Sequence, residues 1–429
     1  MNSKIRNDIK ELVLEQVISQ ETASKIETYY ESKENDSPNK LFTVFAVLGS
    51  ILVGLGIILI LAHNWDHFSR SIKTFFAFLP LVIAQVVVGY SILKNKSATW
   101  KESSGVFLFF AVGSSMALVS QIYNIPGELS SYLLTWVLLC LPLVYLLKSN
   151  ALAILHIAFS TYYACEYGYF YNSVMGTPWL FVLLIVSILP YYFTLLKIKA
   201  SSNIVSIFNW LLPLCVIIVL GAFVDDNEFL GFLMYVVLFG VFYNLGMLPY
   251  FKNEKLRRNG YLVLGSLGTI FMLILTSFKW FWQDRFNDAV PFNSQEFYIS
   301  AVLFLSALGI LTYGYLKNQH KKVNLFQLVF IIFSILFFLN SIINAFPVII
   351  INLLILVLGV VAIKIGASKL HFGVLNYGLL IISLLIVCRF FDTNMSFVVR
   401  GLLFVVVGVG FFFVNYLMLK KQKSIKSFK

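Results

Sequence analysis

Fourteen long apolar stretches follow one another along this 429-residue chain, separated by short polar gaps. Each stretch is apolar over about 20 residues, the length that an α-helix needs to cross a bilayer. Because the hydrophobicity is continuous rather than alternating, a membrane β-barrel is disfavoured. The pattern predicts an all-α, polytopic membrane helical bundle of about 14 transmembrane helices. The predicted spans are 41–62, 72–93, 105–122, 129–147, 151–171, 177–196, 204–223, 229–251, 260–282, 297–317, 323–340, 345–364, 371–391 and 397–419.

The lysines and arginines fall in every second gap between these spans. Of the 32 Lys and Arg residues, 26 lie before the first span, in the even-numbered gaps or in the C-terminal tail. The positive-inside rule therefore predicts a topology with both termini in the cytoplasm, N-in and C-in. Because the net charge of +12 is spread over these short loops, we attribute it to membrane topology and predict no binding of nucleic acid.

Composition agrees with a membrane protein and leaves little room for a metal or disulfide site. The chain has 59% hydrophobic and 12% charged residues, whereas a soluble domain carries about a quarter charged residues. All four cysteines lie inside predicted spans, which argues against a disulfide framework. His63 and His67 are spaced like ligands on one helix, but no further ligand group is close in sequence. We predict no metal and no cofactor.

The pattern divides the chain into three parts. The pattern predicts that residues 1–40 form a cytoplasmic helical hairpin and linker, in which Ser19 caps the second helix. This hairpin is either a solvated cap or a docking site for a cytoplasmic partner or the membrane surface. Residues 41–419 form the transmembrane domain, and residues 420–429 form a basic cytoplasmic tail. Leu48-Gly49-Ser50 and Leu264-Gly265-Ser266 open similar spans, which suggests a weak parallel repeat of 41–196 and 260–419.

Polar residues gather on the predicted outer face and at one place within a span. Glu166 is the acidic residue well inside a span, and charges at that depth are costly and tend to mark function. A pair between Glu166 and Arg389 or Arg400 is one hypothesis; a purely structural ion pair, or arginines that reach to the interface, is the alternative. No nucleophile and base can be combined, so catalytic residues stay unassigned. The candidate substrate-binding residues are His63, Asn64, Trp65, Asp66, Gln121, Tyr123, Asn124, Glu128, Glu166, Arg389, Asp392 and Arg400.

Tryptophans also mark the predicted outer ends of spans. Trp65, Trp280 and Trp282 lie where interfacial aromatic residues are expected, and we interpret them first as membrane anchors.

Several of these features resemble a known family. The N-terminal hairpin, the glycine-rich first span that runs into Asn64-Trp65-Asp66, and the Gln121-Ile122-Tyr123 turn are similar to bacterial predicted membrane proteins of the domain-of-unknown-function 2157 family. The ending Arg389-Phe390-Phe391-Asp392, followed by Arg400-Gly401-Leu402 and a basic tail, also resembles it. The resemblance implies a multi-pass protein of the bacterial cytoplasmic (inner) membrane with a cytoplasmic N-terminal segment. It brings no established activity, so no functional residue is carried over.

Three functions fit this sequence, and the first is preferred. A transporter- or flippase-like protein with a polar site on the outer side is favoured by the number of spans and by prolines within them, Pro80, Pro142, Pro190 and Pro213. One alternative is a membrane scaffold or sensor that signals through the N-terminal hairpin. The other is a membrane-embedded enzyme acting on envelope or lipid-linked substrates, with Asp66 and Glu128 as acid or base. The lipid bilayer is the partner that all three share, and no oligomeric state is indicated.

Overall fold

The computed structural model describes residues 9, 11–35, 65–169, 176–199, 201–225, 227–252, 254–283, 292–317, 323–339 and 346–392, with scattered positions between 398 and 419. The chain divides into two compact units, Met1–Leu79 and Pro80–Lys429. Within the described ranges every regular element is a helix. The all-helical prediction is therefore confirmed.

The first unit begins with a short helical turn and a longer helix. Residues 11–14 are helical, and Gln16 has a left-handed backbone with φ 54° before α1 (Gln20–Asn35) starts. The backbone N–H of Thr22 donates to Ser19 Oγ at 3.2 Å, so Ser19 holds the capping position predicted for it. Both interpretations of residues 1–40, a solvated cap and a docking site, stay predictions. The predicted first span, 41–62, lies outside the described residues.

Twelve longer helices follow, and each overlaps one of the predicted spans from 72–93 to 371–391. They are α2 (Arg70–Leu93), α3 (Ala98–Tyr123), α4 (Leu129–Leu147), α5 (Asn150–Gly168), α6 (Trp179–Lys199), α7 (Asn203–Leu220), α8 (Glu228–Gly246), α9 (Gly260–Leu275), α10 (Gln295–Lys317), α11 (Leu325–Leu339), α12 (Phe346–Ser368) and α13 (Phe372–Asp392). Helix α2 crosses the division between the two units.

Among the described helices, nine are long and apolar enough to cross a membrane. They are α2, α3, α4, α6, α7, α8, α10, α12 and α13. Helices α9 and α11 are apolar but shorter, and α5 is long enough but less apolar. The chain is thus a multi-span membrane protein, whereas the total of fourteen spans and the N-in/C-in topology stay predictions. Of the last predicted span, 397–419, only scattered positions are described.

Side chains with short polar groups define where several helices begin. Ser149, Ser202, Asn227 and Asn259 each accept a hydrogen bond from the backbone N–H three residues on, at 3.2, 3.3, 2.9 and 3.0 Å. These bonds satisfy N–H groups that have no partner within the helix. Left-handed residues, Asn124 and Lys148, end α3 and α4. The chain can therefore reverse direction within a few residues.

The predicted span 260–282 is not one continuous helix, which corrects the sequence prediction. Helix α9 ends at Leu275, and a turn leads to a short helix, Lys279–Gln283. The indole N–H of Trp282 donates to the Thr276 carbonyl at 2.6 Å, and its side chain is 1% exposed. Trp282 is therefore a core residue rather than the membrane anchor predicted for it, whereas Trp280 is 58% exposed.

Helix α8 lies at the centre of the second unit and packs against α7, α9, α10 and α11. Its contact with α9 is close because glycines face the neighbouring backbone. A Cβ on Gly265 would lie 2.5 Å from the Tyr243 nitrogen, and one on Gly246 would lie 2.5 Å from the Leu262 nitrogen. Small residues allow membrane helices to pack at such short distances.

An aromatic cluster joins α3, α4 and α5. The indole of Trp136 on α4 lies 4.6 Å from the ring of Phe159 on α5, between ring centroids, and donates to the Phe109 carbonyl at 2.7 Å. A Cβ on Gly113 would lie 2.3 Å from the same indole, so only glycine leaves space for it. The cluster fixes α5 against its two preceding helices.

The turns of the second unit form two ends, which we name by charge. The basic end comprises the turns around Lys148, Ser201 and Lys255, and the acidic end comprises those around Asn124, Asp225 and Ser277. Turns of the same end bond to one another: Ser201 Oγ donates to Glu254 at 2.5 Å at the basic end, and the Asp225 N–H donates to Glu296 at 2.9 Å at the acidic end. Which end faces the cytoplasm stays a prediction.

Candidate functional site

The first predicted polar cluster is only partly described. Trp65, Asp66 and His67 form one turn of 3₁₀ helix before α2, and the Asp66 side chain is exposed. The ammonium group of Lys73 lies 5.7 Å from the Trp65 ring centroid, in a cation–π contact. His63 and Asn64 lie outside the described residues.

The second predicted cluster is an exposed turn between α3 and α4. The side chains of Gln121, Tyr123, Asn124 and Glu128 are all exposed. Ser120 Oγ donates to the Ile125 carbonyl at 2.9 Å, which holds the turn. Glu128 directly precedes α4, and its side chain makes no capping hydrogen bond. These residues line the surface of the acidic end rather than the inside of the helix packing.

Arg389 is held near the acidic end by the residues that follow α9. Its Nη2 donates to Ser277 Oγ at 3.1 Å, and its guanidinium lies 4.7 Å from the Phe278 ring centroid. Asn352 of α12 joins the same place, since its Nδ2 donates to the Ser277 carbonyl at 3.1 Å. Asp392 is the last residue of α13, and Arg400 lies outside the described residues.

Glu166 and Arg389 lie on helices with different neighbours. Helix α5 packs against α3, α4, α6 and α7, whereas α13 packs against α12 and α9. Within the described part of the chain, no hydrogen bond or ion pair joins the two side chains. The predicted pair between Glu166 and Arg389 thus gains no support from the described contacts.

Helix α5, which carries Glu166, differs from every other described helix of comparable length. Of the described helices with at least 18 residues, it is the one that lacks the apolar composition of a membrane span. The four helices packed around it all have that composition. Polar residues enclosed in this way usually face a bundle interior and mark a pathway or a site. This makes α5 the strongest candidate region.

The buried face of α5 carries a row of polar side chains. His156, Ser160 and Tyr163 follow one another at helical spacing, and they are 2%, 0% and 3% exposed. His156 Nε2 lies 3.0 Å from the Leu184 carbonyl of α6 and 3.4 Å from Ser187 Oγ. The row continues to Tyr167, whose ring centroid lies 5.8 Å from that of Tyr163. A polar line therefore runs through the helix packing.

Three carboxylates that sequence reasoning did not select hold the ends of the helices. Glu102 of α3 accepts hydrogen bonds from the N–H groups of Asn150 and Ala151, at 2.8 and 3.0 Å, and from the Ser149 hydroxyl. Glu254 accepts from Ser201 and lies 3.9 Å from Arg258.

The third carboxylate, Glu296, is 1% exposed and accepts from the N–H groups of Asp225 and Asn227 at 2.9 and 3.4 Å. The hydrogen-bond donors to all three carboxylates are about 50 residues or more away in the chain. The local sequence pattern cannot reveal such distant partners. It does show acidic residues near the start of a helix, where a negative charge is favoured.

The comparison with known families matches the first third of the chain. Residues 10–153 match the family model described as predicted membrane protein (DUF2157). The resemblance inferred from the sequence is confirmed over these residues. No curated protein and no solved structure matches the chain. The DUF2157 match covers α3 and α4 and ends at the first turn of α5, so the polar row lies beyond it. The resemblance of the last sixty or so residues stays a prediction.

Proposed function

We propose that this membrane protein is transporter- or flippase-like, and that its polar path runs along α5 in the bacterial cytoplasmic membrane. The observation that carries the proposal is the row of buried polar side chains on α5, which four apolar helices enclose. Burying His156 and Ser160 contributes little to stability unless they are fully bonded, so a functional reason for their position is favoured. Glu166 lies toward the acidic end of the same helix, where a substrate coming from the outer side would meet it.

Prolines within α4, α6 and α7 support the same proposal. Pro142, Pro190 and Pro213 each lie inside a helix that surrounds α5. A proline removes one backbone hydrogen bond from its helix and allows a bend there. Helices that bend around a polar path fit a protein that opens and closes it.

Cysteine accessibility tests this proposal. In a background without Cys140, Cys165, Cys215 and Cys388, single cysteines are placed at Glu166, Ser160 and Ala158 and exposed to a membrane-impermeant thiol reagent outside intact cells. We expect Glu166→Cys and Ser160→Cys to react, because the path hydrates as it opens. Ala158→Cys is the matched control, since Ala158 lies on the exposed side of the same helix, away from the polar row. Complete protection at both 160 and 166 would remove the proposal.

A further inference from the structure

Two buried polar groups on α5 have open hydrogen-bonding capacity one helical turn apart. Nδ1 of His156 and Oγ of Ser160 are both buried, and neither has a hydrogen-bond partner among the residues that the structure describes. Residues four apart on a helix share one face. Buried polar atoms of a folded protein are nearly always satisfied, so two open groups on the same face call for an explanation.

The contact with α6 fixes which ring nitrogen of His156 carries the proton. A carbonyl oxygen can only accept a hydrogen bond, and Nε2 lies 3.0 Å from the Leu184 carbonyl. Nε2 must therefore carry the hydrogen and donate it. In the neutral ring, Nδ1 is then an unprotonated acceptor, directed into the helix packing with no donor opposite it.

Ser160 is one of three buried helical serines in the described residues whose hydroxyl has no hydrogen-bond partner, together with Ser91 and Ser300. Thr161, Thr269 and Ser334 each donate to the carbonyl four residues earlier, at 2.8, 2.7 and 2.7 Å. Such local bonding is the usual arrangement for Ser and Thr inside membrane helices. The Ser160 hydroxyl makes no such bond and so stays available on the same face as His156.

The polar and titratable groups on the four helices packed against α5 are mostly neutral. Helix α6 contributes Tyr191 and Tyr192, whose hydroxyls are bonded to Asn150 and Asn209. Helix α4 contributes Cys140 and also Tyr145, whose hydroxyl donates to the Ser187 carbonyl.

Helix α7 contributes Cys215, and α3 contributes Glu102, which is bound at the first turn of α5. On α5 itself, Tyr163, Tyr167 and Glu166 follow toward the acidic end. No carboxylate among the described residues is hydrogen-bonded to the His156 ring. A proton bound by the ring is therefore not held by an ion pair and can leave again.

We propose that His156 and Ser160 form a proton-binding site within the membrane. The proton adds to the lone pair of Nδ1 and gives an imidazolium that keeps its Nε2–H on the Leu184 carbonyl. Ser160 Oγ lies one helical turn away and is not bonded to the neutral ring, and it supplies the acceptor that the charged ring needs when its side chain turns toward the new Nδ1–H. The proton leaves by the same bond, so the site is reversible. A role in coupling protons to transport rests on the proposed function, whereas proton binding itself does not.

The test is a nuclear magnetic resonance titration of the full chain in lipid bilayers, with isotope-labelled histidine. Replacing His63, His67, His320 and His371 leaves His156 as the one histidine signal, so its assignment does not depend on a folded His156 variant. We expect the Nε2-protonated neutral form near pH 8 and the imidazolium on acidification to about pH 4, the range in which histidines titrate. A ring that stays neutral over the whole range would overturn the proposal.

Two neighbouring variants separate the site from a general effect of mutation. Ser160→Ala removes the acceptor of Nδ1–H and should weaken proton affinity about three- to tenfold, so that the titration moves to lower pH. Thr161→Val changes a hydroxyl that is bonded within its own helix and should leave the titration unchanged. Equal shifts in both variants would contradict the role of Ser160. If His156 titrates as expected but cysteines at 160 and 166 do not react from outside, the proton-binding site is supported and the transport proposal is contradicted.

Discussion

At the scale of single residues, carboxylates from distant parts of the chain add to the local capping of helices. Glu102 accepts hydrogen bonds from two N–H groups in the first turn of α5, although it belongs to α3. A negative charge beside the first turn of a helix is also favoured by the helix dipole. The turn between α4 and α5 has only two residues, Lys148 and Ser149, so this one side chain decides how the two helices meet.

Replacing Glu102 should therefore destabilise the protein more than replacing an exposed glutamate. Glu102→Ala leaves the N–H groups of Asn150 and Ala151 without a partner, which should cost about 1–3 kcal/mol of the free energy of unfolding. Glu128→Ala is the matched control, because Glu128 lies beside the first turn of α4 but is exposed and makes no capping hydrogen bond. Thermal unfolding in detergent compares the two, and equal stability would show that Glu102 contributes no more than a surface charge.

At the scale of elements, close contact between α8 and α9 depends on glycine. Helix α8 is the most buried of the nine described helices that are long and apolar enough to cross a membrane. Its neighbours can approach this closely only where a side chain is missing, as at Gly265. The effect of replacing each glycine by alanine should therefore depend on which atoms the added Cβ would contact.

Two alanine substitutions test this dependence on glycine. Gly265→Ala places a Cβ 2.5 Å from backbone and should destabilise the protein by about 1–3 kcal/mol through overpacking. Gly309→Ala on α10 meets nothing within 4 Å and should be neutral, or stabilising by up to about 1 kcal/mol through helix propensity. The fraction of monodisperse protein and its thermal stability are measured for both variants. Unchanged thermal stability of Gly265→Ala would mean that α8 and α9 can move apart without destabilising the protein, which would contradict the prediction.

The helices themselves were largely predictable, but their ends and polar contacts were not. The apolar stretch 129–147 coincides with α4, because hydrophobic residues fill that helix from end to end. Helix α3 begins at Ala98, seven residues before its predicted span, because its first turns are polar yet still helical. Glu166 could be selected as a rare charge. The partners of Glu102 and Arg389 lie far away in the chain, so only the fold reveals them.

At the scale of the whole second unit, the alternating charge of the sequence agrees with how the turns bond. Turns rich in lysine and arginine meet at the basic end, and acidic turns meet at the other. Such grouping is what antiparallel neighbouring helices produce. The positive-inside rule predicts the direction and places the basic end in the cytoplasm.

Single cysteines at the two ends test that direction. Glu128→Cys lies in an exposed turn of the acidic end and should react with an impermeant thiol reagent in intact cells. Asn95→Cys lies in the exposed turn between α2 and α3, one of the lysine-rich gaps, and should react only after the membrane is permeabilised. The reverse result would invert the predicted topology.

The packing of Trp136 against α5 also gives the protein an internal optical reporter. Tryptophan emission depends on what surrounds the indole, and Trp136 is 8% exposed with Phe159 as a ring neighbour at 4.6 Å. The chain has seven tryptophans, so replacing the other six leaves a fluorophore whose signal comes from the junction of α3, α4 and α5. Any ligand, lipid or pH change that displaces α5 will change the colour and lifetime of that emission, even before a substrate is known.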